Sequence, residues 1–575
     1  MKQSFIKKIT AVVLAAFMVF AIVACNAPAP QTTSYPKNGA TKIIDVEKTA
    51  YASAAQSDVI NVAYYESESE ILLIEINHAV EEFINEFVLG GSNASVTVEE
   101  DASTVTLVRN NGAYCEIDFV ADTVLFSDFD AFNMKPTSSN PHDLLAYPYV
   151  NEQGESRYLK RSNSFYTPGY AILIDLAERD IPLDIYNGKK YIPLKTFNDL
   201  FLVPYGVNLA YNGQDVFICT GNTISADLEE RYYLDERTEM SKALAEFSFN
   251  ELCLYLDLYY GLQAEHGFND GFSYYLESIG LKEQFLSCDS MDVFNALGTL
   301  TLGYIADAHS SVVSPSPYLG SSQPVDANIS IAPGFIDYAK ASQLYPAVRS
   351  EMMPGFQFYE KIGNTAYVTL DEFSLYNRDG DYTPESMRII DTLALVMFSH
   401  SQIVQDEEIE NVVLDLSCNG GGAVDSAFFT VAWMLGCCDA SIYNSVTQSC
   451  ATTSYYADVN RDGVFDDNDS IADKNLFCLV SPVSFSCGNY VPALLKASGK
   501  VTIIGKTASG GACVVNNGMT ADGTSFSLSG SKRMSIVKNG SYYSVDQGVQ
   551  PDVYLSRVES FYDRAGLTDY INNLK

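Results

Sequence analysis

Two short stretches constrain what this chain can fold into. The first, Val412-Val413-Leu414-Asp415-Leu416-Ser417-Cys418-Asn419-Gly420-Gly421-Gly422, is an apolar, β-branched run that breaks into three consecutive glycines. The second, Ser481-Pro482-Val483-Ser484-Phe485-Ser486-Cys487-Gly488-Asn489, follows another apolar run and ends in a serine where a helical pattern opens. Strand, sharp loop, helix start is a geometry that exposes a nucleophile and aims backbone N–H groups at one point. The pair predicts a serine-hydrolase centre, with His309 as its third element.

At 575 residues the chain is too long for one core. A hydrophobic content of 47% supports well-packed domains, and a charged content of 19% argues against extensive disorder. The formal charge of −37 repels nucleic acid and anionic surfaces, so neither is expected as a ligand.

Lys2, Lys7 and Lys8 precede an apolar run over 9–24 that closes on Ile22-Val23-Ala24-Cys25. This reads as a signal peptide, 1–24, and its ending resembles a bacterial lipobox, with Cys25 as the lipidated first mature residue. No later run is long and apolar enough for a span. The expected location is therefore the outer face of the cell membrane, reached through the lipid anchor only. The other cysteines lack CxxC spacing, so neither a zinc site nor a disulfide framework is indicated.

Residues 25–57, rich in Ala, Pro, Thr and Ser, read as a flexible tether. An α+β module is expected over 58–225. In it a helical stretch covers 71–87, and hairpins turn at Asn110-Asn111-Gly112 and Asn212-Gly213. Its strand, "YIPL", short helix, hairpin order resembles the small N-terminal domain of copper amine oxidases, which implies a non-catalytic binding or spacing module. Helical periodicity dominates from Met240 to Ile305, within a helical subdomain expected over 238–315. A further domain is expected over 316–562; from Val412 its strands and helices alternate, which implies right-handed crossovers and a largely parallel sheet.

The motifs "GNTAYVTLDEF" at Gly363, "VVLDLSCNGGG" at Val412, "SFSCGN" at Ser484, "IIGKTASGG" at Ile503 and "DQGVQPDV" at Asp546 occur in the order found in one peptidase family. The chain resembles the C-terminal processing (tail-specific) proteases and the tricorn core, serine peptidases of crotonase-like spiral fold. The resemblance covers roughly residues 240–560. It implies an α/β class, with a crotonase-like spiral catalytic domain, a parallel-rich sheet and a helical N-terminal subdomain, and Ser486 as nucleophile. A serine at a helix start is by itself more often an N-cap.

A hydroxyl needs a base within hydrogen-bond reach. The processing proteases use a lysine in the loop after the "IIG" strand; here that position is Gly511, and Lys506 lies elsewhere in the same loop. The tricorn branch uses a histidine ahead of the sheet, and His309 in "LGYIADAHSS" resembles its "DxH" segment. Imidazole suits proton transfer near neutrality. In that branch a glutamate just before "GVxPD" completes the site. Here Val545 takes its place and Asp546 follows, so Asp546 is the candidate orienting carboxylate and Asp307 the runner-up. The amides of Gly421 or Gly422 and of Cys487 are the candidate oxyanion hole. Ser509, Gly510 and Gly511 are expected to line the substrate cleft, and Asn419 and Asp415 to fix the glycine loop. Too little chain separates His309 from Asn364 for the PDZ domain that processing proteases often carry.

Between the two strands, Asp458-Val459-Asn460-Arg461-Asp462-Gly463-Val464-Phe465-Asp466-Asp467-Asn468-Asp469 matches the 12-residue calcium loop. Asp458, Asn460, Asp462, the Val464 carbonyl and Asp469 are the expected ligands of a structural Ca2+, with Gly463 at the turn and no catalytic cofactor. The function expected is an extracellular, lipid-anchored serine peptidase acting on peptides or proteins through an acyl-enzyme. The alternative is a catalytically weak or inactive cell-surface binding protein that keeps the peptidase fold as a scaffold.

Overall fold

The computed structural model describes residues 42–574 apart from 146–157, 235, 269, 324–326 and 377–386. The expected signal peptide, the lipidation residue Cys25 and most of the expected tether lie outside the described residues.

The site is carried by a six-stranded sheet. Its strands run in the order Tyr359–Ile362, Thr365–Thr369, Asn411–Asp415, Asn475–Val480, Val501–Gly505 and Val553–Tyr554. The first pair is antiparallel and the rest are parallel, as the alternation implied. Asn411–Asp415 is buried throughout, and so is Asn475–Val480 beyond its first residue. Continuous apolar runs are what a sheet covered on both faces requires. Helices Thr392–Gln405, Val424–Leu435 and Cys487–Ala497 supply cover, and Trp433, fully buried, sits in the same core as Val412, Leu414 and Cys478.

A second, antiparallel sheet went unread in the sequence. The 14-residue strand Ser525–Lys538 is its spine, pairing with Ser311–Ser314, Cys438–Asn444, Cys513–Met519 and Ser541–Ser544. Its far edge is Leu159–Thr167, which adds antiparallel to Cys450–Ala457.

That edge strand belongs to the stretch expected as a separate module, so residues 58–225 do not stand apart from the catalytic half. One core joins Leu72, Phe126 and Phe197 to Leu252, Tyr255, Phe526 and Leu528. The signal was weak because Leu159–Thr167 is mostly polar and its partner lies almost 300 residues on.

Two other expectations are corrected. Residues 43–53 are not tether but the strand Ile43–Ser53, paired residue by residue with Gln56–Tyr65. The helical stretch read at 71–87 begins as the strand Glu68–Glu75, whose apolar run Ile71–Ile74 is buried on both faces; helix starts only at Ile76. Periodicity cannot separate a doubly buried strand from a helix start. Both predicted hairpins form, as Thr104–Arg109 with Tyr114–Asp118 and Val207–Tyr211 with Val216–Thr220. The helical region holds Lys242–Tyr259 and Ser290–Thr299 among shorter pieces.

Candidate active site

Ser486 stands at the turn from the strand Asn475–Val480 into the helix Cys487–Ala497. Its φ of 55° and ψ of −124° put it in a region that L-residues avoid, the strain that marks a nucleophile elbow. It occupies the N-cap position, yet its side chain makes no cap hydrogen bond. The hydroxyl is therefore not committed to the helix, which removes the ordinary reason for a serine there. The backbone is held instead: Ser486 N–H donates to Gly510 O (2.9 Å), and its carbonyl accepts from Asn489 and Tyr490 N–H (2.9 and 2.8 Å).

The glycine loop lies directly on this turn. A Cβ at Gly421 would sit 2.7 Å from Ser486 Cβ and 3.2 Å from its Oγ. Gly421 and Gly422 have φ of 114° and 127°, open to glycine and costly for anything else. Asn419 fixes the loop as expected. Its Oδ1 accepts from Gly421 N–H (2.8 Å), its Nδ2 donates to Leu370 O (3.0 Å), and its carbonyl accepts from Phe485 N–H (3.1 Å). Asp415 accepts from Ser417 N–H (2.9 Å) and pairs with the buried Arg564 (2.6 Å).

These bonds select among the oxyanion candidates. The Gly421 N–H is turned onto Asn419, so that amide is not available. Gly422 and Cys487 have no protein acceptor for their N–H groups among the described residues. Phe373 brackets the loop from the other side, donating to Gly421 O (2.8 Å) and accepting from Ala423 N–H (2.7 Å). Nothing in the sequence pattern singled out Phe373 beyond its place in "DEF".

His309 is delivered by a turn just after the helical segment Leu300–Ile305, with Ala306 at a φ of 55°. Asp307, the runner-up for orienting the ring, does something else. It accepts from His309 N–H (3.0 Å), Ser310 Oγ (2.9 Å) and Ser529 Oγ (2.8 Å), which pins the turn to the long strand Ser525–Lys538. Burial raises its pKa.

The His309 ring packs on Phe485, the residue before Ser486, with centroids 4.7 Å apart. The chain thus brings positions 309 and 485–486 into one place. Nδ1 is sealed from solvent without a partner, and no hydrogen bond joins the ring to Ser486. Burial lowers the His309 pKa to about 4, opposed by the charge of Asp546. Val545 is buried in the core while Asp546, the next residue, is half-buried and near enough for its charge to act on His309. That alternation explains why Asp546 rather than position 545 faces the histidine. Asp546 Oδ1 also accepts from Ala512 N–H (3.0 Å).

The cleft residues read from resemblance behave otherwise. Gly510 and Gly511 are buried, and only Ser509 of the three is exposed, with its hydroxyl on Pro482 O. A Cβ at Gly510 would strike Asp546 O at 1.8 Å, and one at Gly511 the Phe485 ring at 2.4 Å. These glycines clamp the serine loop to the aspartate loop, and no room exists at 511 for a lysine stem. Missed altogether was Tyr338, on the helix Pro333–Met352. Its ring meets Phe485 edge-on at 5.7 Å, and its hydroxyl lies 3.5 Å from where a Gly420 Cβ would be.

A neutral imidazole is the form that can accept a proton. With a pKa of about 4 rather than 6.5, His309 holds that form across the neutral range. The acid limb of kcat/KM is expected near pH 4, and replacing Asp546 by Asn should move it lower, since the charge that favours the protonated ring is lost. The unfolded ring takes up its proton near 6.5 and the folded one resists until about 4. Stability contributed here is thus present above 6.5 and lost as pH falls through that window, by up to about 3 kcal/mol. Rate–pH profiles and urea titrations at pH 4 to 7 check both.

An uncapped serine stands on a strained turn, with a glycine loop against it and a buried histidine packed on the residue before it. Residues 364–555 match Peptidase family S41, a family of serine-type peptidases. No curated protein matches it. Among solved structures it is similar to a protein from Parabacteroides merdae ATCC 43184, at 15% identity over 57% of this chain and 96% of that one, TM-score 0.40. A lipoprotein from Streptococcus agalactiae shares 12% identity over 59% and 98%, TM-score 0.34. The tricorn protease shares 12% over 94% and 59%, TM-score 0.30.

Proposed function

We propose that the protein hydrolyses peptide bonds through an acyl-enzyme formed on Ser486. His309 takes the Oγ proton through Nε2, since Nδ1 is sealed, and Oγ adds to the scissile carbonyl. The oxyanion that forms meets the N–H groups of Gly422 and Cys487. The imidazolium, stabilised by the facing Asp546, returns its proton to the leaving amine; water then repeats the sequence on the ester. The observation that carries this reading is the Ser486 turn itself, a strained serine with its hydroxyl left out of the helix cap and held against Gly421.

Tyr338 and Phe485 form an aromatic wall beside the nucleophile, suited to an apolar substrate side chain. The basic start, apolar run and Ile22-Val23-Ala24-Cys25 ending support export and lipid anchoring through Cys25, with the peptidase outside the cell. Among the described residues no helix is long and apolar enough to cross a membrane.

A fluorophosphonate probe tests the chemistry. The wild type should be labelled at Ser486 and Ser486→Ala should not. The scaffold reading draws on the lack of a hydrogen bond between Ser486 and His309, and folded wild type that resists the probe would establish it.

A further inference from the structure

The 12-residue acidic loop plays no part in that chemistry, and it is built in an unusual way. Its two ends are buried while its middle is exposed: Asp458 is 6% exposed and Asp469 3%, with residues 460–464 open to solvent. Each end is a carboxylate, and no salt bridge reaches either among the described residues. Asp469 is fully engaged, Oδ1 accepting from Val459 and Asn460 N–H (2.7 and 3.0 Å) and Oδ2 from Asp466 N–H (3.1 Å).

Asp458 is only half satisfied. Its Oδ2 accepts from Gly463 N–H (3.1 Å), which folds the loop back over it; Gly463 has a φ of 81°. Its Oδ1 is buried without any partner. A buried carboxylate oxygen without a partner is costly, and a proton or a cation resolves it.

We propose that residues 458–469 bind one calcium ion, seated on Asp458 Oδ1 with Asp462, Asn460, the Val464 carbonyl and Asp469 completing an all-oxygen set. Hard oxygen donors in a loop of this length suit Ca2+ better than the smaller Mg2+, which demands near-ideal octahedral geometry. As the loop stands, no three acidic, histidine or cysteine side chains converge on a metal among the described residues. Asn460 Oδ1 and Asp462 Oδ1 are instead turned onto the N–H groups of Asp462 and Val464 (2.9 and 2.8 Å). Both side chains are exposed, so turning them inward displaces local bonds only.

The position of the loop says what the ion would hold. Asp458 N–H donates to Tyr158 O (3.0 Å), beside the N-terminal edge strand Leu159–Thr167. At the other end Ile471 N–H donates to Trp433 O (3.0 Å), and the chain then enters Asn475–Val480, the strand that bears Ser486. A bound ion would tie the N-terminal edge strand to the nucleophile strand.

Isothermal titration of the chelator-treated full chain with CaCl2 tests this, with MgCl2 in parallel. One equivalent of Ca2+ should bind at millimolar affinity or tighter, Mg2+ more weakly, and Tm should rise by about 2–5 °C at saturation. Asp458→Asn keeps an acceptor for Gly463 and should weaken binding at least tenfold. The exposed Asp462→Asn, which carries no folding risk of that kind, should weaken it too. No Ca2+ heat or Tm shift in folded wild type at about 5 mM CaCl2, several-fold above the roughly 1 mM of the weakest extracellular modules, or affinity unchanged in both variants, overturns the proposal.

Discussion

Peptide hydrolysis by Ser486→Ala should fall by about 10⁴ to 10⁶-fold, and Ser486→Ala combined with His309→Ala should fall no further. The reason is that the two groups make one device. A serine hydroxyl is a weak nucleophile until a base takes its proton, and an imidazole with no hydroxyl to deprotonate contributes nothing to acyl transfer. His309 alone should therefore cost nearly as much as Ser486 alone. The geometry makes the comparison clean, because neither side chain supports the fold through hydrogen bonds: Ser486 makes no cap bond, and His309 Nδ1 has no partner. Far-ultraviolet circular dichroism should be unchanged in all three variants. Rates from a fluorogenic peptide, with active-site titration of the wild type, give the measurement. Costs for the two single variants that multiply in the double would mean that the residues act separately, and the proposed dyad would be wrong.

The catalytic half was legible because its signals are local. Val412–Gly422 and Ser481–Asn489 each carry strand, loop and helix start within a dozen residues, and buried parallel strands leave uninterrupted apolar runs. The histidine was legible only through resemblance, since nothing in "ADAHSS" says that its turn docks beside residue 485. What the sequence hid was contact between distant segments. Asn419 donating to the Leu370 carbonyl, Val545 turning into the core, and Phe485 filling the space above Gly511 are each set by neighbours remote in the chain. The antiparallel sheet was hidden for the same reason. Its edge strand Leu159–Thr167 is polar and finds its partner at Cys450–Ala457. The two N-terminal hairpins were legible one by one, while their fusion into the core around Tyr255 and Phe526 left no local trace.

Gly421→Ala should reduce peptide hydrolysis by at least about 10³-fold while the protein still folds. Three costs fall on one atom. At a φ of 114° an alanine is strained, on the order of 1–3 kcal/mol. Its Cβ would lie 2.7 Å from Ser486 Cβ and 3.1 Å from Phe485 O, so either the serine turn or the glycine loop must retreat. The serine turn has little freedom, since Ser486 N–H is bound to Gly510 O and the helix Cys487–Ala497 starts at once behind it. The loop will move instead, and it carries the Gly422 N–H away from the position the oxyanion needs. Asn419 makes this worse, because its side chain ties the Gly421 amide to the Leu370 carbonyl, so displacement at 421 is transmitted to the sheet. Gly420→Ala supplies the control: its Cβ would meet only the Tyr338 hydroxyl, at an ordinary 3.5 Å, and the loss there should be tenfold or less. Measured kcat/KM for the two alanine variants, with thermal melts to show that both fold, decides the matter. Equal losses at 420 and 421 would show that the loop is soft and that its packing on Ser486 does not set the oxyanion site.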